Sequence, residues 1–154
     1  MFVFDTSAFI NGRRDHFFPD MVASAWNLVE DAIDEGRVIV VREVYRELDV
    51  IDDDTSELIR RHSGAIVEPS EAVQRRAGEL ANEFPAHHSR HAADPFILAE
   101  AEARRFTVVT YEGVTYAGIA TSKGWHKSMP GVCARFGISC GTLPQALRAL
   151  GLSV

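Results

Sequence analysis

An α/β fold on a mainly parallel sheet is what the sequence predicts, and three observations predict it. Short apolar runs alternate with amphipathic stretches along the chain. One of those runs, Val38-Ile39-Val40-Val41, is β-branched with no polar alternation, which suits a strand covered on both faces. A length of 154 residues, 46% hydrophobic and 25% charged, is that of one globular domain with a real core, and no linker, low-complexity tract or repeat divides residues 1–154.

The elements follow in order. Phe2-Val3-Phe4 reads as a strand ending at Asp5, and Met21 to Glu35 as a helix with Val22, Ala25, Trp26, Val29 and Ile33 on one stripe, stopped by Gly36. After the strand Val38 to Val41 the period lengthens: Val44, Leu48 and Ile51 recur at helical spacing. A further short helix begins at Asp52-Asp53-Asp54-Thr55, runs through Arg61 and His62, and closes at Gly64. Ser70 is the expected N-cap of a helix through Leu80 and Phe84, and His87 to His91 form a polar connection. Asp94-Pro95 opens a helix to Arg104, with the aspartate as cap and the proline at the first helical position. The strand Phe106 to Thr110 follows, then a long loop, a helix over Met129 to Phe136, a short strand at Ile138-Ser139-Cys140 and a capped terminal helix over Thr142 to Leu150. In such a parallel sheet, ligands sit outside the carboxyl ends of the strands.

Composition removes other classes. No apolar run approaches the roughly 18 residues of a membrane helix, and the opening MFVFDTSAF places a carboxylate at position 5, where a signal peptide would be basic and then apolar; a cytoplasmic protein with no membrane partner is expected. Cys133 and Cys140 lack zinc-site spacing and are read as small packing residues. The formal charge of −6 argues against gripping nucleic acid through overall positive potential. The distribution is uneven, however. Every acid lies at or before Glu112, while Gly113 to Val154 carries Lys123, Lys127, Arg135 and Arg148. That pattern is either chance or an acidic portion that gathers carboxylates for a metal, followed by a basic portion that touches a polyanion.

Four acids fall at the carboxyl edge of the predicted sheet. Asp5 follows the first strand, Glu112 lies two residues past the strand ending at Thr110, Asp94 starts a helix that leads into that strand, and Glu47 lies one turn into the helix after Val41. Each has an ordinary alternative: helix cap for Asp94, solvated helix face with Glu43, Arg42 and Arg46 for Glu47, loop residue for Glu112, and for Asp5 a capping duty only if a helix starts at Ser7. Together they are harder to dismiss, because two carboxylates about 4 Å apart repel by roughly 4 kcal/mol at an effective dielectric near 20. A divalent cation relieves this, and all-oxygen ligation favours Mg2+ or Mn2+, ions that typically handle phosphate esters.

These residues carry a resemblance. FVFDTSAFI around Asp5, VVREVYREL around Glu47, ADPFILAEA around Asp94, FTVVTYE at Glu112 and the tail Met129 to Ile138 make nearly the whole chain similar to the PIN-domain ribonucleases, in particular their VapC-like toxin subset and an uncharacterised bacterial branch beside it. The resemblance implies a three-layer α/β/α domain and a metal-dependent endoribonuclease, the toxin of a toxin-antitoxin pair, with RNA as substrate, a cognate antitoxin as partner and a homodimer as assembly. It implies Asp5, Glu47 and Asp94 as the core ligands of Mg2+ or Mn2+ and Glu112 as the fourth acid, where most members have Asp. Thr6 and Ser7 match the position of a hydroxyl near the metal. Water is the implied nucleophile, leaving 5′-phosphate and 3′-hydroxyl ends. A catalytically silent PIN-fold module that binds RNA or protein is the alternative; a phosphatase of haloacid dehalogenase type would repeat Asp where this chain has Ser7.

Other clusters are less specific. Lys123-Gly124-Trp125-His126-Lys127 interleaves cations with an indole, as a strand-binding surface or a loop anchored by its tryptophan would. His87 and His91 have a metal-face spacing that Pro85 and the polar surroundings oppose, and the paired arginines at 13–14, 60–61, 75–76 and 104–105 read as helix-surface charge. Phe17, Phe18 and Trp26 read as core or dimer-interface residues.

Overall fold

A computed structural model describes residues 1–51, 53–84, 92–112 and 128–152. Five parallel strands form its sheet: β1 (Phe2–Phe4), β2 (Val38–Val41), β3 (Ile66–Val67), β4 (Thr107–Val109) and β5 (Cys140–Gly141), in the order β3-β2-β1-β4-β5. The helices are α1 (Thr6–Asn11), α2 (Ala23–Asp34), α3 (Arg42–Ile51), α4 (Asp53–Arg61), α5 (Glu71–Leu80), α6 (Asp94–Arg104), α7 (Met129–Phe136) and α8 (Leu143–Leu150). The expected α/β class holds, and the sheet is parallel throughout.

Successive residues of a strand face opposite sides of a sheet, so burial of neighbours reports two covered faces. Val3 and Phe4, all of Val38–Val41, and Val108 and Val109 are buried. The sheet is therefore the middle of three layers, with α6 packed against β1, β2 and β4 and against α5, and α2 packed against β2 and α8. Helix α6 is buried over most of its surface; even Glu100 is enclosed, and it pairs with Arg104 at 2.7 Å. The stripe Ala25, Trp26, Val29 and Ile33 of α2 is buried as the periodicity requires, and Gly36 reverses the chain with φ +69°.

Several local expectations are corrected. Asp94 is the first residue of α6 and Ala93 stands at its N-cap, so the aspartate is not the cap that Asp94-Pro95 suggested. Ile51 does not join Val44 and Leu48 in the core: it is 61% exposed at the end of α3, beside Val50 at 88%. Strand β3 carries too little apolar length to announce itself, and the last strand falls at Cys140–Gly141, later than the run from Ile138. Asp52 and His87 to His91 lie outside the described residues. Cys133 is buried and Cys140 half-buried, which agrees with packing roles. The Cys133 thiol donates to Cys140, and that bond, with burial, pushes it well above the ordinary thiol range. Phe17 and Trp26 pack together, with Trp26 Nε1 donating to the Phe17 carbonyl at 2.5 Å, whereas Phe18 is exposed. The predicted surface role of arginines holds for Arg60, paired with Asp49 at 3.0 Å, and for Arg76, paired with Glu79 and Glu102.

A short π-helical turn, Gly12–His16, continues α1. A Cβ on Gly12 would lie 2.5 Å from Leu143 Cδ2 and 3.3 Å from the Trp26 ring, both buried, so only hydrogen fits where this turn crosses α8 and α2. Gly12→Ala is expected to cost about 1–3 kcal/mol by overpacking. Gly64→Ala, whose Cβ meets nothing within 4 Å, is the control; chemical denaturation of both checks the difference.

On the other side of α2, His62 donates or accepts at both ring nitrogens, with Nε2 2.9 Å from Glu30 and Nδ1 2.6 Å from Asp34. Those hydrogen bonds raise its pKa above the ordinary histidine value. A folded-state pKa above the unfolded one stabilises the protein below the unfolded pKa and stops doing so as pH rises through the folded one. His62→Gln is therefore expected to lose more stability at about pH 6 than at about pH 9, by no more than about 1 kcal/mol for a pair this near the surface. Urea melts at the two pH values measure it.

Candidate functional site

Strand order reverses at β1, which runs between β2 and β4, and the crevice at the carboxyl ends of such neighbours is where open parallel sheets bind ligands. A cleft of about 1060 Å³ opens there, lined by Asp5, Thr6, Ser7, Glu47, Asp94 and Glu112 together with Ile10, Asn11, Arg14, Glu43, Arg46, Val50, Ile51 and Ala92. All four predicted acids and both predicted hydroxyls thus share one cleft. Lys123 and Lys127, the other predicted substrate-binding residues, lie outside the described residues.

Asp5 enters the site because β1 ends one residue earlier, and its N–H still donates to Val109 of β4 at 2.9 Å. Its side chain is only 5% exposed. Ser7 Oγ donates to Oδ2 at 2.5 Å and Thr110 Oγ1 to the same oxygen at 2.7 Å. Oδ1 has no hydrogen-bond donor among the described residues, so the carboxylate is held through one oxygen. The two hydroxyls lie 3.1 Å apart and are fixed in turn from behind: Tyr111 N–H donates to Ser7 Oγ, and Glu112 N–H to Thr110 Oγ1, each at 3.0 Å.

Glu47 is half-buried on the inner face of α3 rather than on a solvated one. Thr6 Oγ1 donates to its Oε2 at 2.5 Å and Ala93 N–H to its Oε1 at 3.1 Å, so this one side chain joins the start of α1 to the entry of α6. Asp94, 4% exposed, follows directly. Glu112 reaches the site from the end of β4, and its Oε2 accepts Met129 N–H at 2.9 Å at the start of α7. A helix N-terminus favours a carboxylate there, and Glu112 is held by it beside Ser128, which caps Gly131.

Sequence reasoning missed Thr110, which backs Asp5, and gave Glu43 and Arg14 of the cleft no role in it. Thr110 appeared there only as the last residue of a strand, although TYE after an apolar run hints at a hydroxyl facing the same edge. Glu43, read as a solvated neighbour of Glu47, turns into the cleft, where its buried Oε2 has no hydrogen-bond partner among the described residues and Arg46 stands 3.9 Å from its Oε1. The i, i+4 spacing of Glu43 and Glu47 was the available signal. Arg14 was assigned to the surface as one of a pair.

Carboxylate oxygens make a donor set for a hard cation. Among the described residues no three His, Cys, Asp or Glu side chains are drawn into one ligand group. The arrangement suits an ion that keeps several waters and takes one or two carboxylates directly, with the open oxygen of Asp5 as its natural first contact.

An α/β domain with a carboxylate-lined cleft at the switch point of a parallel sheet is thus the class that fold and site define. The chain belongs to DUF4411, described as a domain of unknown function, which matches over residues 2–154. No curated protein matches the chain. Among the described residues, no helix is long and apolar enough to cross a membrane.

Thr110 is 1% exposed and serves Asp5 and Glu112 at once. Thr110→Val keeps the shape and removes the hydroxyl, so a loss of about 1–3 kcal/mol is expected from the unpaired buried groups. Thermal denaturation of the variant checks it.

Proposed function

We propose that this chain is a Mg2+- or Mn2+-dependent endoribonuclease of the PIN type that hydrolyses RNA phosphodiester bonds. The observation that carries the reading is the convergence of Asp5, Glu47, Asp94 and Glu112, from four separated stretches of sequence, on one cleft at the sheet's switch point. Such a concentration of carboxylate charge makes sense where cations bind.

In this reading Asp5 and Asp94 hold the ion, with Glu47 and Glu112 reaching it directly or through water. A divalent cation bound there supplies Lewis-acid chemistry, acidifying water and offsetting the charge that builds on the phosphate oxygens. The chain's own part is to aim and to hold. Ser7 and Thr110 keep Oδ2 of Asp5 engaged so that Oδ1 faces the cleft, Thr6 keeps Glu47 from swinging back along α3, and the amide of Met129 fixes Glu112. No side-chain nucleophile is required, and hydrolysis by water leaves 5′-phosphate and 3′-hydroxyl ends. A place as the toxin of a toxin-antitoxin pair, held in check by a cognate antitoxin and acting as a cytoplasmic homodimer, extends the resemblance to that subset.

A second reading has its own support. Glu47 and Glu112 each accept a backbone amide, as purely structural carboxylates would, which favours a silent PIN-fold module that binds RNA or protein without cutting. Cleavage of a mixed pool of structured RNAs in Mg2+, Mn2+ or EDTA separates the two. The expected result is cutting that needs metal, leaves 5′-phosphate ends and falls by about a hundredfold or more in Asp5→Asn, a change that keeps an acceptor for Ser7 and Thr110. Absence of cutting in every metal, with no heat of Mn2+ binding by calorimetry, favours the silent module.

A further inference from the structure

The outer wall of the cleft is unlike its floor. Val50, 88% exposed, and Ile51, 61% exposed, end α3 side by side and line the cleft with Ile10 of α1. Single exposed aliphatics are common on any surface, but adjoining ones at the mouth of the main cleft form an apolar lip. Helix α3 gains nothing from them in packing: its buried stripe is Val44 and Leu48, and α4 starts two residues after Ile51. Arg14, paired through two hydrogen bonds with Asp15 at 2.9 and 3.0 Å, and Arg46, 3.9 Å from Glu43, line the same cleft with side chains 67% and 71% exposed. The cleft therefore has a carboxylate floor, two guanidinium groups that reach solvent, and an apolar wall.

We propose that this lip seats a nucleobase next to the scissile phosphate, with the base against Ile10, Val50 and Ile51 and the neighbouring phosphates against Arg14 and Arg46. The inference rests on the ribonuclease reading and deepens it by assigning the groups that position the strand. Charge complementarity selects a nucleotide over a wholly apolar occupant. The carboxylate floor, with a divalent cation bound, would take the phosphate to be cut. The guanidinium groups take flanking phosphates, which carboxylates would repel, and the aliphatic wall takes the flat, poorly hydrated face of a base. A single strand satisfies all three at once, because its bases are free to turn out from the phosphates.

The test is the double variant Val50→Ser, Ile51→Ser, whose exposed positions leave the fold intact. Three quantities are compared with the unmodified protein: KM and kcat on a 12-nucleotide single-stranded RNA, hydrolysis of bis(p-nitrophenyl) phosphate, which is a phosphodiester without a base, and anisotropy of the labelled RNA in Ca2+. The expected result is a KM for RNA raised about tenfold and anisotropy binding weakened equally, with kcat and hydrolysis of the small diester unchanged. Unchanged KM and binding overturn the lip as a base seat and leave it to a protein partner. If the unmodified protein cuts neither substrate, the ribonuclease reading fails by itself; RNA binding that still weakens in the variant then upholds the lip, and RNA binding that is absent or unaltered overturns it.

Discussion

A carboxylate enclosed at the end of the central strand has to be solvated by the protein, and the groups that do this for Asp5 organise everything around the cleft. Its N–H belongs to the β1–β4 ladder, while its side chain takes hydroxyl bonds from Ser7 in α1 and Thr110 just past β4. Thr110 N–H in turn donates to Gly141 of β5, and Thr110 Oγ1 receives the amide of Glu112, whose carboxylate receives the first amide of α7. A path of hydrogen bonds thus runs from the first strand to the last third of the chain. Burying a carboxyl group without such partners costs several kcal/mol, so the network is the condition on which Asp5 can be enclosed at this position.

The other half of the site is tied by a different device. Glu47 spans from α1 to the residue before α6, and α6 itself packs against the sheet with most of its first two turns buried. Asp94 is consequently carried on the buried end of a helix held by core packing, and it needs no capping duty to hold its position. Acids on separate elements are brought close by elements that are each fixed from behind by core packing, so the repulsion among them does not open the cleft.

The fold was legible wherever the apolar pattern was long. Val38–Val41 and the stripe of α2 leave little choice of structure, and the alternation of strand and helix selects a parallel sheet. Two-residue strands such as Ile66–Val67 are set by their partners in the sheet, and no local pattern marks them. The acids were legible for a topological reason: residues just past parallel strands fall on one edge whatever the details. What stayed hidden was which side chain served which. Asp94 before Pro95 has the form of a cap, and only the register of α6 shows it to be the first helical residue. Ile51 fits the helical period, but the period does not say that α3 ends before that stripe returns to the core. Thr110 and Glu43 matter through partners that are distant in sequence or missing altogether.

Several of the places where this chain departs from ordinary local rules meet at one cleft, while others, such as the enclosed Glu100 and the exposed Phe18 and Met21, lie elsewhere. Asp5 and Asp94 are enclosed acids, an oxygen of Glu43 is buried with no hydrogen-bond partner among the described residues, and Val50 and Ile51 hold aliphatic surface out to solvent. Each departure costs stability on its own. Elsewhere the core is apolar and continuous, α5 and α8 start on the caps their sequences announce, and Arg60 of α4 and Arg76 of α5 find carboxylates. Several such costs meet at the carboxyl edge of β1 and β4, where Asp5, Asp94 and Glu43 line one cleft with Val50 and Ile51, and a concentration of this kind is what a binding site imposes on the elements that carry it.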